Sequence, residues 1–415
     1  MGTSKRWHEV VRAAGLDDGE GGTRPTIFAE MTALAQRTGA LNLGQGFPDS
    51  DGPATVTEAA RTAIAEGMNQ YPPGNGIVPL REAIAAHQSR HYGIDLDPGN
   101  QITVSNGATE AIAASILALA GPGDEVLTLE PYYDSYAAVI AMAGATHMSA
   151  PLVGHADQGF TVDAEALRAA FSDRTAVVLL NSPHNPTGAV LSAEDLALIA
   201  ELAIAHDAIV VSDEVYEHLT YDGARHIPIA TLPGMFERTV TISSAGKTFS
   251  VTGWKVGWAS GPADLITALV SIKQFLTYTG GAPFQPAVAT ALNLEITPGP
   301  DQHWVGELAA DLSARRDLLM TGLTEAGFEV VRPRGCYFVI ADSSRWLARH
   351  GLADGAALCS ALPELAGVAA VPVSAFTVPG SRTDRDLAAS VRFTFTKSWD
   401  VLNAALQRLV QTSAP

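Results

Sequence analysis

Five polar side chains follow apolar segments in the middle of this 415-residue chain. The segment AVVLLN is followed by Asn185, AIVVS by Asp213 and Tyr216, and TVTISS ends at Ser244 just before Lys247. Ligands of open parallel sheets bind outside the carboxyl ends of the strands. If these segments are neighbouring strands, an amide, a carboxylate, a phenol and an amine meet in one crevice. An Asp facing a Lys could alone be a structural ion pair, so a functional interpretation depends on the amide and the phenol beside them.

A second segment supplies a place for an anion. The strand-like ITV at 102–104 runs into SNGATEA, which opens a helical pattern. The backbone N–H groups of Gly107, Ala108 and Thr109 would then lie at the positive end of a helix, where a phosphate monoester is favoured. Most glycine-containing helix starts do no more than cap a helix, so this segment is informative only together with the others.

One cofactor, pyridoxal 5′-phosphate, uses all of these groups. Its aldehyde takes a lysine amine, here Lys247, and its ring nitrogen stays protonated beside a carboxylate, here Asp213. Asn185 and Tyr216 would donate hydrogen bonds to the ring oxygen, and the helix start would anchor the phosphate. The sequence therefore predicts an enzyme that uses this cofactor.

The elements around these residues alternate between strands and helices. Continuous apolar runs, typical of strands covered on both faces, are ITV, EVLTLE at 125–130, AVVLLN at 176–181, AIVVSDE at 208–214 and TVTISS at 239–244. Helical patterns lie between them at 108–120, 162–171 and 193–206. This order predicts an α/β fold with a mostly parallel sheet.

The strict alternation of predicted strands and helices ends near residue 300. A helical pattern over 304–326 is followed by GCYFVIAD, VAAVPVS and VRFTFTK as separate strand candidates and by a final helix near 400–411. We predict a smaller α+β domain, and we assign residues 26–55 and 296–415 to it, 56–295 to the large cofactor-binding domain, and 1–25 to a mobile N-terminal arm.

Composition excludes several classes of protein. The formal charge of −18 disfavours a nucleic-acid or anionic-membrane partner, and no apolar segment is long enough to span a bilayer. Cys336 and Cys359 form no ligand or disulfide pattern, the N-terminus lacks a secretory signal, and we expect a cytoplasmic protein. The histidines show no metal-ligand spacing, so no metal site is expected, and His184 is interpreted as structural.

Three ordered segments resemble the signatures of class I/II pyridoxal-phosphate aminotransferases, which have fold type I. They are NSPHNPTG at 181–188, SDEVYEH at 212–218 and SSAGKTFSVTGWKVGW at 243–258. The resemblance extends from LNLGQGFPD at 41–49 to VRFTFTK at 391–397. It implies ping-pong transfer of an amino group from an amino acid to a 2-oxo acid, with 2-oxoglutarate as the expected acceptor. It assigns the catalytic roles to Lys247, Asp213 and Tyr216.

The resemblance also implies roles for residues outside the strand ends. Tyr133 would stack on the cofactor ring, and Tyr71 would reach the phosphate in a neighbouring subunit, which implies a homodimer with shared active sites. Arg392 would bind the substrate α-carboxylate, helped by the backbone of Gly46. Ser244 and the helix start at 107–109 would hold the phosphate. Many family members have arginine at the position of Lys255, whereas lysine is usual in the kynurenine and glutamine branch. Lys255 would add positive charge beside the phosphate.

The substrate is less well specified than the chemistry. GQGFPD, NQYPPGNG, GATEAIAA and EPYYDSYAAVIAMAGA look closest to actinobacterial N-succinyldiaminopimelate aminotransferases, with the kynurenine, glutamine and methionine group next. The same residues could instead serve a cysteine-S-conjugate β-lyase or a pyridoxal-phosphate oxidase. The sensor domain of a transcription regulator is disfavoured, because too few residues precede residue 26 to form a DNA-binding module.

Overall fold

The computed structural model describes residues 6–155 and 158–413. Its strands are β1 (Leu41–Asn42), β2 (Ile102–Asn106), β3 (Glu125–Glu130), β4 (Thr146–His155), β5 (Gly159–Val162), β6 (Thr175–Asn181), β7 (Ile209–Asp213), β8 (Thr239–Ser244), β9 (Val256–Ser260), β10 (Glu329–Val331), β11 (Phe338–Asp342), β12 (Val368–Ala369), β13 (Val371–Pro372) and β14 (Ser390–Thr394). Its α-helices are α1 (Arg6–Ala13), α2 (Ile27–Thr38), α3 (Ala54–Ala65), α4 (Val78–Tyr92), α5 (Gly107–Leu119), α6 (Ser135–Ala143), α7 (Ala164–Ala170), α8 (Ala193–Ala205), α9 (Ala245–Thr248), α10 (Ala263–Leu276), α11 (Phe284–Leu292), α12 (Trp304–Glu325), α13 (Ser344–His350), α14 (Gly355–Ala366), α15 (Arg382–Asp386) and α16 (Trp399–Ser413).

The large sheet places the predicted strands side by side. Within the described residues its strand order is β2-β9-β8-β7-β6-β3-β4-β5. The pairs β8/β7, β7/β6, β6/β3 and β3/β4 are parallel, whereas β9 is antiparallel to both of its neighbours and β5 is antiparallel to β4. The sheet is therefore mostly parallel, as the alternation of apolar runs and helices predicts. The carboxyl ends of β6, β7 and β8 lie next to one another.

Both faces of this sheet are covered, which explains why its strands are continuously apolar. Along β6, Val177 and Leu179 belong to one apolar core, while Val178 and Leu180 belong to another on the opposite face. The first core includes side chains of α5, α6 and α10, and the second includes those of α7 and α8. Burial on both sides leaves the strand ends as the places where polar side chains meet a cavity.

A second sheet is built from the C-terminal third of the chain. Strands β10-β11-β14-β13 form it with antiparallel pairing, and β1 pairs in parallel with β12 nearby. The side chains of β11 and β14 share an apolar core with α12 and α16. The segment before the large sheet thus contributes to this part of the molecule through α2 and β1. The domain boundaries at 26–55, 56–295 and 296–415 stay a prediction.

The N-terminal segment contains α1, which contacts α6, and Arg6 donates a hydrogen bond to the carbonyl of Met142. Residues 1–5 of the predicted arm lie outside the described residues. Across residues 6–155 and 158–413, no helix has both the length and the apolar character that crossing a membrane requires.

Candidate active site

The carboxyl ends of the parallel strands open into a cavity of about 300 Å³. Residues from both sheets line it, so it lies where the large sheet faces the second one. The predicted site residues that line it are Gly46, Gly107, Ala108, Thr109, Tyr133, Asn185, Asp213, Tyr216, Ser244, Lys247, Lys255 and Arg392. The crevice expected from the order of apolar runs is therefore present.

Asp213, the last residue of β7, is a carboxylate held in a buried position. It is 4% exposed, and its Oδ2 accepts a hydrogen bond of 2.7 Å from the hydroxyl of Tyr136. The backbone N–H of Val215 donates to Oδ1 at 3.4 Å. Burial raises the pKa of Asp213 to about 6, although Tyr136, Val215 and the Lys247 ammonium each act to lower it. A cation placed against this carboxylate would relieve the cost of its burial.

The start of α5 lies on the cavity wall. Its N-cap, Asn106, makes no side-chain cap, and the first N–H groups of a helix have no partner within the helix. Gly107 has φ +75, and a Cβ there would lie 3.0 Å from Nζ of Lys255. A Cβ on Gly257 would meet Ala108 N at 2.7 Å, so glycine allows β9 to pack directly against this turn.

Positive charge is concentrated at the same end of the cavity. Lys247 lies in the short helix α9, directly after β8, and Lys255 follows a 3₁₀ turn with φ 54. Burial, together with the charge of Lys247, lowers the pKa of Lys255. The Lys247 Nζ is 5.9 Å from the ring centre of Tyr216 and 5.8 Å from that of Tyr337. The Lys247 amine thus lies near two aromatic rings, and that of Tyr216 lines the cavity.

Arg392, in the middle of β14, is only 1% exposed. Nη1 donates to Oδ1 of Asn185 at 2.9 Å, and Nη2 donates to the carbonyl of Gly44 at 2.9 Å. Among residues 6–155 and 158–413 its Nε has no hydrogen-bond partner, and its guanidinium carbon lies 3.9 Å from the ring centre of Phe338. Burial lowers the pKa of Arg392 to about 10, which still leaves it charged at neutral pH. The cavity therefore contains a buried cation with an unused donor.

Asn185 is oriented by two contacts that leave its amide NH₂ group free. Its backbone N–H donates to Oδ1 of Asn181 at 2.7 Å, while its own Oδ1 accepts from Arg392. The Asn181 amide in turn donates to the carbonyl of Asp213 at 2.8 Å. The turn after β6 is thereby tied to the end of β7, and the Asn185 NH₂ can donate into the cavity.

Two further predicted residues differ in their surroundings. Tyr133 lines the cavity and meets Tyr136 edge-on with 5.6 Å between ring centres, and burial raises the pKa of Tyr133 to about 12. Tyr71 does not line the cavity of its own chain and is 84% exposed. The structure therefore brings every predicted site residue except Tyr71 together. His184, predicted to be structural, is buried and bonded to Thr187 across 2.8 Å.

Sequence reasoning missed residues that support the others. Tyr136 and Asn181 hold Asp213, and Tyr337 and Phe338 flank Lys247 and Arg392. The sequence contains a weak signal for Asn181, since it is the polar residue that ends the apolar run AVVLLN. Tyr136 belongs to the same EPYYDSY segment as Tyr133, but nothing in that segment shows which tyrosine faces Asp213.

Gly46 is required by close packing. A Cβ at this position would lie 2.2 Å from Cζ of Phe338, the ring that stacks on Arg392. The Gly46 carbonyl also accepts a hydrogen bond of 2.6 Å from the hydroxyl of Tyr337. The loop after β1 therefore reaches the cavity only because this residue has no side chain.

Comparisons with known proteins agree over nearly the whole chain. Residues 38–409 match the family described as aminotransferase class I and II. A probable N-succinyldiaminopimelate aminotransferase of Mycobacterium tuberculosis is 55% identical, with 92% of this chain and 95% of that protein covered. Mouse kynurenine–oxoglutarate transaminase 3 is 37% identical, with 96% and 89% covered. The solved structure of the M. tuberculosis N-succinyldiaminopimelate aminotransferase superimposes with a TM-score of 0.89 at 52% identity, covering 99% of this chain and 100% of the other.

The burial of Asp213 predicts how stability depends on pH in protein stripped of any cofactor. Because the folded pKa is about 6 and the unfolded value is ordinary, the stability linked to this group is complete at low pH and is lost as pH rises through 6. Between pH 5 and pH 8, we expect the wild type to lose roughly 1–2 kcal/mol of unfolding free energy relative to Asp213→Asn. Urea unfolding at each pH measures this difference.

A matched control is Asp207→Asn, whose carboxylate is 97% exposed in the wild type. This control should show the same pH dependence as the wild type. If the stability difference between wild type and Asp213→Asn were the same at pH 5 and pH 8, the strained burial of Asp213 would be contradicted.

Proposed function

Because this chain belongs to the class I and II aminotransferases, we propose that its cavity binds pyridoxal 5′-phosphate and that the residues lining it carry out transamination. The chain is an aminotransferase of fold type I, as its sequence predicts, and it acts on an amino acid and a 2-oxo acid. The observation that carries the cofactor proposal is the polarity of the cavity. Its wall combines the backbone N–H groups at the start of α5 and the ammonium of Lys255 with the buried carboxylate of Asp213.

The donor set at the positive end fits a phosphate monoester. The free N–H groups at Gly107, Ala108 and Thr109, the hydroxyl of Ser244 and the ammonium of Lys255 all line the same part of the wall. The space that a side chain at Gly107 would fill is left open beside Lys255. Backbone donors at a helix start combined with one mobile ammonium favour a dianion without requiring a second arginine.

The opposite end fits an aromatic ring with a protonated nitrogen. Asp213 would face that nitrogen and is held by Tyr136, so the carboxylate cannot turn away. Asn185 and Tyr216 would donate to the ring oxygen, and Tyr133 would stack on the ring. A cationic ring nitrogen would stabilise the Asp213 carboxylate, which is otherwise charged in a buried place.

Catalysis depends on what these residues hold and move. When bound, pyridoxal phosphate supplies a ring that accepts electron density from the substrate Cα. Lys247 would hold the cofactor covalently between turnovers, and its amine, once free, would take the proton from Cα. Asp213 would hold a proton, and so a positive charge, on the ring nitrogen. The aromatic wall of Tyr216 and Tyr337 limits the volume in which the Lys247 amine moves.

Arg392 would bind the substrate α-carboxylate. A guanidinium holds a carboxylate through parallel hydrogen bonds, and the unused Nε marks where a ligand can add to the contacts with Asn185 and Gly44. Phe338 stacks on the guanidinium and fixes its plane. Gly46, on the loop that approaches Phe338, would add its backbone N–H to the same carboxylate. This arrangement orients Cα relative to the Lys247 amine.

We propose N-succinyl-LL-2,6-diaminopimelate as the preferred amino donor and 2-oxoglutarate as the acceptor. The support is the 55% identity to the M. tuberculosis protein over nearly the whole length of both chains. Beside Arg392, the cavity wall contains Phe28, Gln45 and Phe47, which combine apolar rings with one amide. Such a wall suits a long donor whose side chain ends in an acylated amine. The kynurenine type remains the second candidate, because its 37% identity is also distributed over the whole chain.

We also propose that the protein is a homodimer with shared active sites. Tyr71 and Phe275 are each 84% exposed, and Tyr71 packs edge-on against Tyr278 with 5.9 Å between ring centres. Leu276, next to Phe275, is exposed as well. Exposed apolar side chains grouped in this way are typical of a protein interface. A partner covering them would let Tyr71 reach the phosphate in the neighbouring cavity.

Two variants distinguish the proposed roles of the two cavity lysines, Lys247 and Lys255. We expect Lys247→Ala to lose activity by at least about 1000-fold and to form no borohydride-trapped adduct with the cofactor, because the reactive amine is removed. Lys255→Ala should keep the adduct at Lys247 while its cofactor affinity falls roughly 10-fold, because one charged hydrogen bond is lost. Peptide mass spectrometry of reduced holoenzyme locates the adduct. An adduct at Lys255, or one that persists in Lys247→Ala, would contradict the assignment.

A donor panel tests the substrate. With 2-oxoglutarate as acceptor, we expect kcat/KM for N-succinyl-LL-diaminopimelate to exceed that for kynurenine, glutamine and methionine by at least about 10-fold. With donor alone, one half-reaction should run and then stop. Continued release of pyruvate and ammonia would instead indicate a β-lyase, and oxygen consumption would indicate an oxidase. A higher kcat/KM for kynurenine would overturn the substrate proposal and leave the aminotransferase chemistry intact.

Mixing variants tests the shared site. If Tyr71 serves the partner's cavity, dimers formed from Tyr71→Ala and Lys247→Ala chains contain one intact site, so the mixture should be more active than the two separate proteins together. Lys255→Ala mixed with Lys247→Ala is the control. Each of these changes damages the cavity of the chain that carries it, so a mixed dimer contains no intact site. Light scattering should give the mass of a dimer. A monomer, or no gain on mixing, would contradict the proposal.

A further inference from the structure

A second cluster of polar side chains lies outside the cavity, where α4 passes the turn after β7. His87 and His91 are four residues apart on α4, so both lie on one face of the helix. His218 reaches them from the turn that follows β7. One ring nitrogen from each histidine can be chosen so that all three lie within 4.8 Å of one another. No residue of this cluster lines the proposed active site.

The rings of His87 and His218 bring two nitrogen atoms into contact. Nε2 of His87 and Nε2 of His218 are 2.7 Å apart, which is possible only if one of them is an unprotonated acceptor. His87 is 4% exposed, and its Nδ1 has no hydrogen-bond partner among the described residues. A buried imidazole with an unused nitrogen is costly unless something else occupies the site. If the proton shared by the two Nε2 atoms is lost, both lone pairs become available to one metal ion.

Carboxylates surround the trio. Oε2 of Glu295 lies 3.1 Å from Nε2 of His91. Glu217 precedes His218 and is 4% exposed, and its Oε1 accepts from Ser243 at 2.5 Å. Its Oε2 accepts no hydrogen bond within the described residues, although the phenol of Tyr92 lies near this carboxylate. A carboxylate bonded to a ligating histidine is the common outer contact of zinc sites, and a free carboxylate oxygen is a further ligand.

We propose that His87, His91 and His218 bind a divalent cation of the zinc class, with Glu217 or Glu295 completing the site. Imidazole nitrogen suits zinc, and nitrogen atoms bound tetrahedrally at about 2.0 Å are roughly 3.3 Å apart. Small rotations of the rings bring the observed spacings, from 2.7 Å to at most 4.8 Å, to that value. The side chains of His91 and Glu295 are 23% and 35% exposed, so an ion can enter from solvent.

The ion would have a positioning role. His218 belongs to the same SDEVYEH segment as Asp213 and Tyr216, whose side chains line the active-site cavity, whereas His218 points to α4. A metal would therefore fasten the back of this segment to α4 without touching substrate or cofactor. This inference is independent of the proposed substrate, because it concerns a separate group of side chains.

Zinc binding by the holoenzyme tests the proposal. After equilibrium dialysis against micromolar free Zn²⁺, we expect about one tightly held ion per chain by elemental analysis, as in a tetrahedral protein site. His91→Asn and His218→Asn should each weaken binding by at least about 10-fold, because each removes one ligand. Cobalt(II) in place of zinc should give the visible absorption of a tetrahedral centre. Zinc should also raise the melting temperature of the wild type and not that of either variant.

His206→Asn is the matched control, because His206 lies at the end of α8, away from the cluster. It should bind zinc as the wild type does. The proposal is overturned if the wild type holds no zinc under these conditions, or if His91→Asn and His218→Asn bind it with unchanged affinity. In either case the trio would be a hydrogen-bonded histidine network only.

Discussion

The structure depends on one costly placement, a carboxylate buried at the end of a central strand. Asp213 is held by Tyr136 and by the backbone of Val215, and neither contact neutralises its charge. Burial of an unpaired charge is tolerated only when a partner cation arrives or when the charge is lost. The pKa of about 6 shows that the contacts of Asp213 within the chain do not offset the cost of burying its charge. A cofactor with a cationic ring nitrogen would therefore stabilise the fold as well as gain reactivity from it.

The second constraint is the chain of contacts that joins the two sheets. Arg392 on β14 donates to Asn185, whose backbone donates to Asn181, and Asn181 donates to the carbonyl of Asp213. The residue proposed to bind the substrate is thus three hydrogen bonds away from the residue proposed to hold the ring nitrogen. If a carboxylate binds Arg392 as proposed, a change in the guanidinium contacts would reach Asn185 directly, because Asn185 accepts a hydrogen bond from Arg392. In this proposal, substrate binding and the hydrogen bond to the cofactor ring oxygen would depend on the same Asn185 amide.

Most strands of the large sheet and the polar residues at their ends could be predicted from the sequence, for a physical reason. Strands covered on both faces are continuously apolar, so β3 and β8 were expected at 125–130 and 239–244 and have those bounds. Polar residues directly after such strands must lie at the carboxyl edge, which is why Asp213 and Lys247 could be identified. The supports could not be identified in this way, because Tyr136 is 77 residues from Asp213 along the chain, and Arg392 is 207 from Asn185. Which distant side chain faces which depends on how the sheets pack together.

The histidine cluster is a second case in which the sequence shows only part of a site. The four-residue spacing of His87 and His91 is visible in the sequence, and the prediction of no metal site did not take account of it. Two histidines on a helix are an incomplete site, and the third, His218, is 131 residues from His87. The turn after β7 brings it there, because the chain leaves the strand at Asp213, and Glu217 and His218 lie on the side of α4. The geometry that presents Asp213 and Tyr216 to the cavity therefore also presents Glu217 and His218 to α4, so the two sites are consequences of one turn.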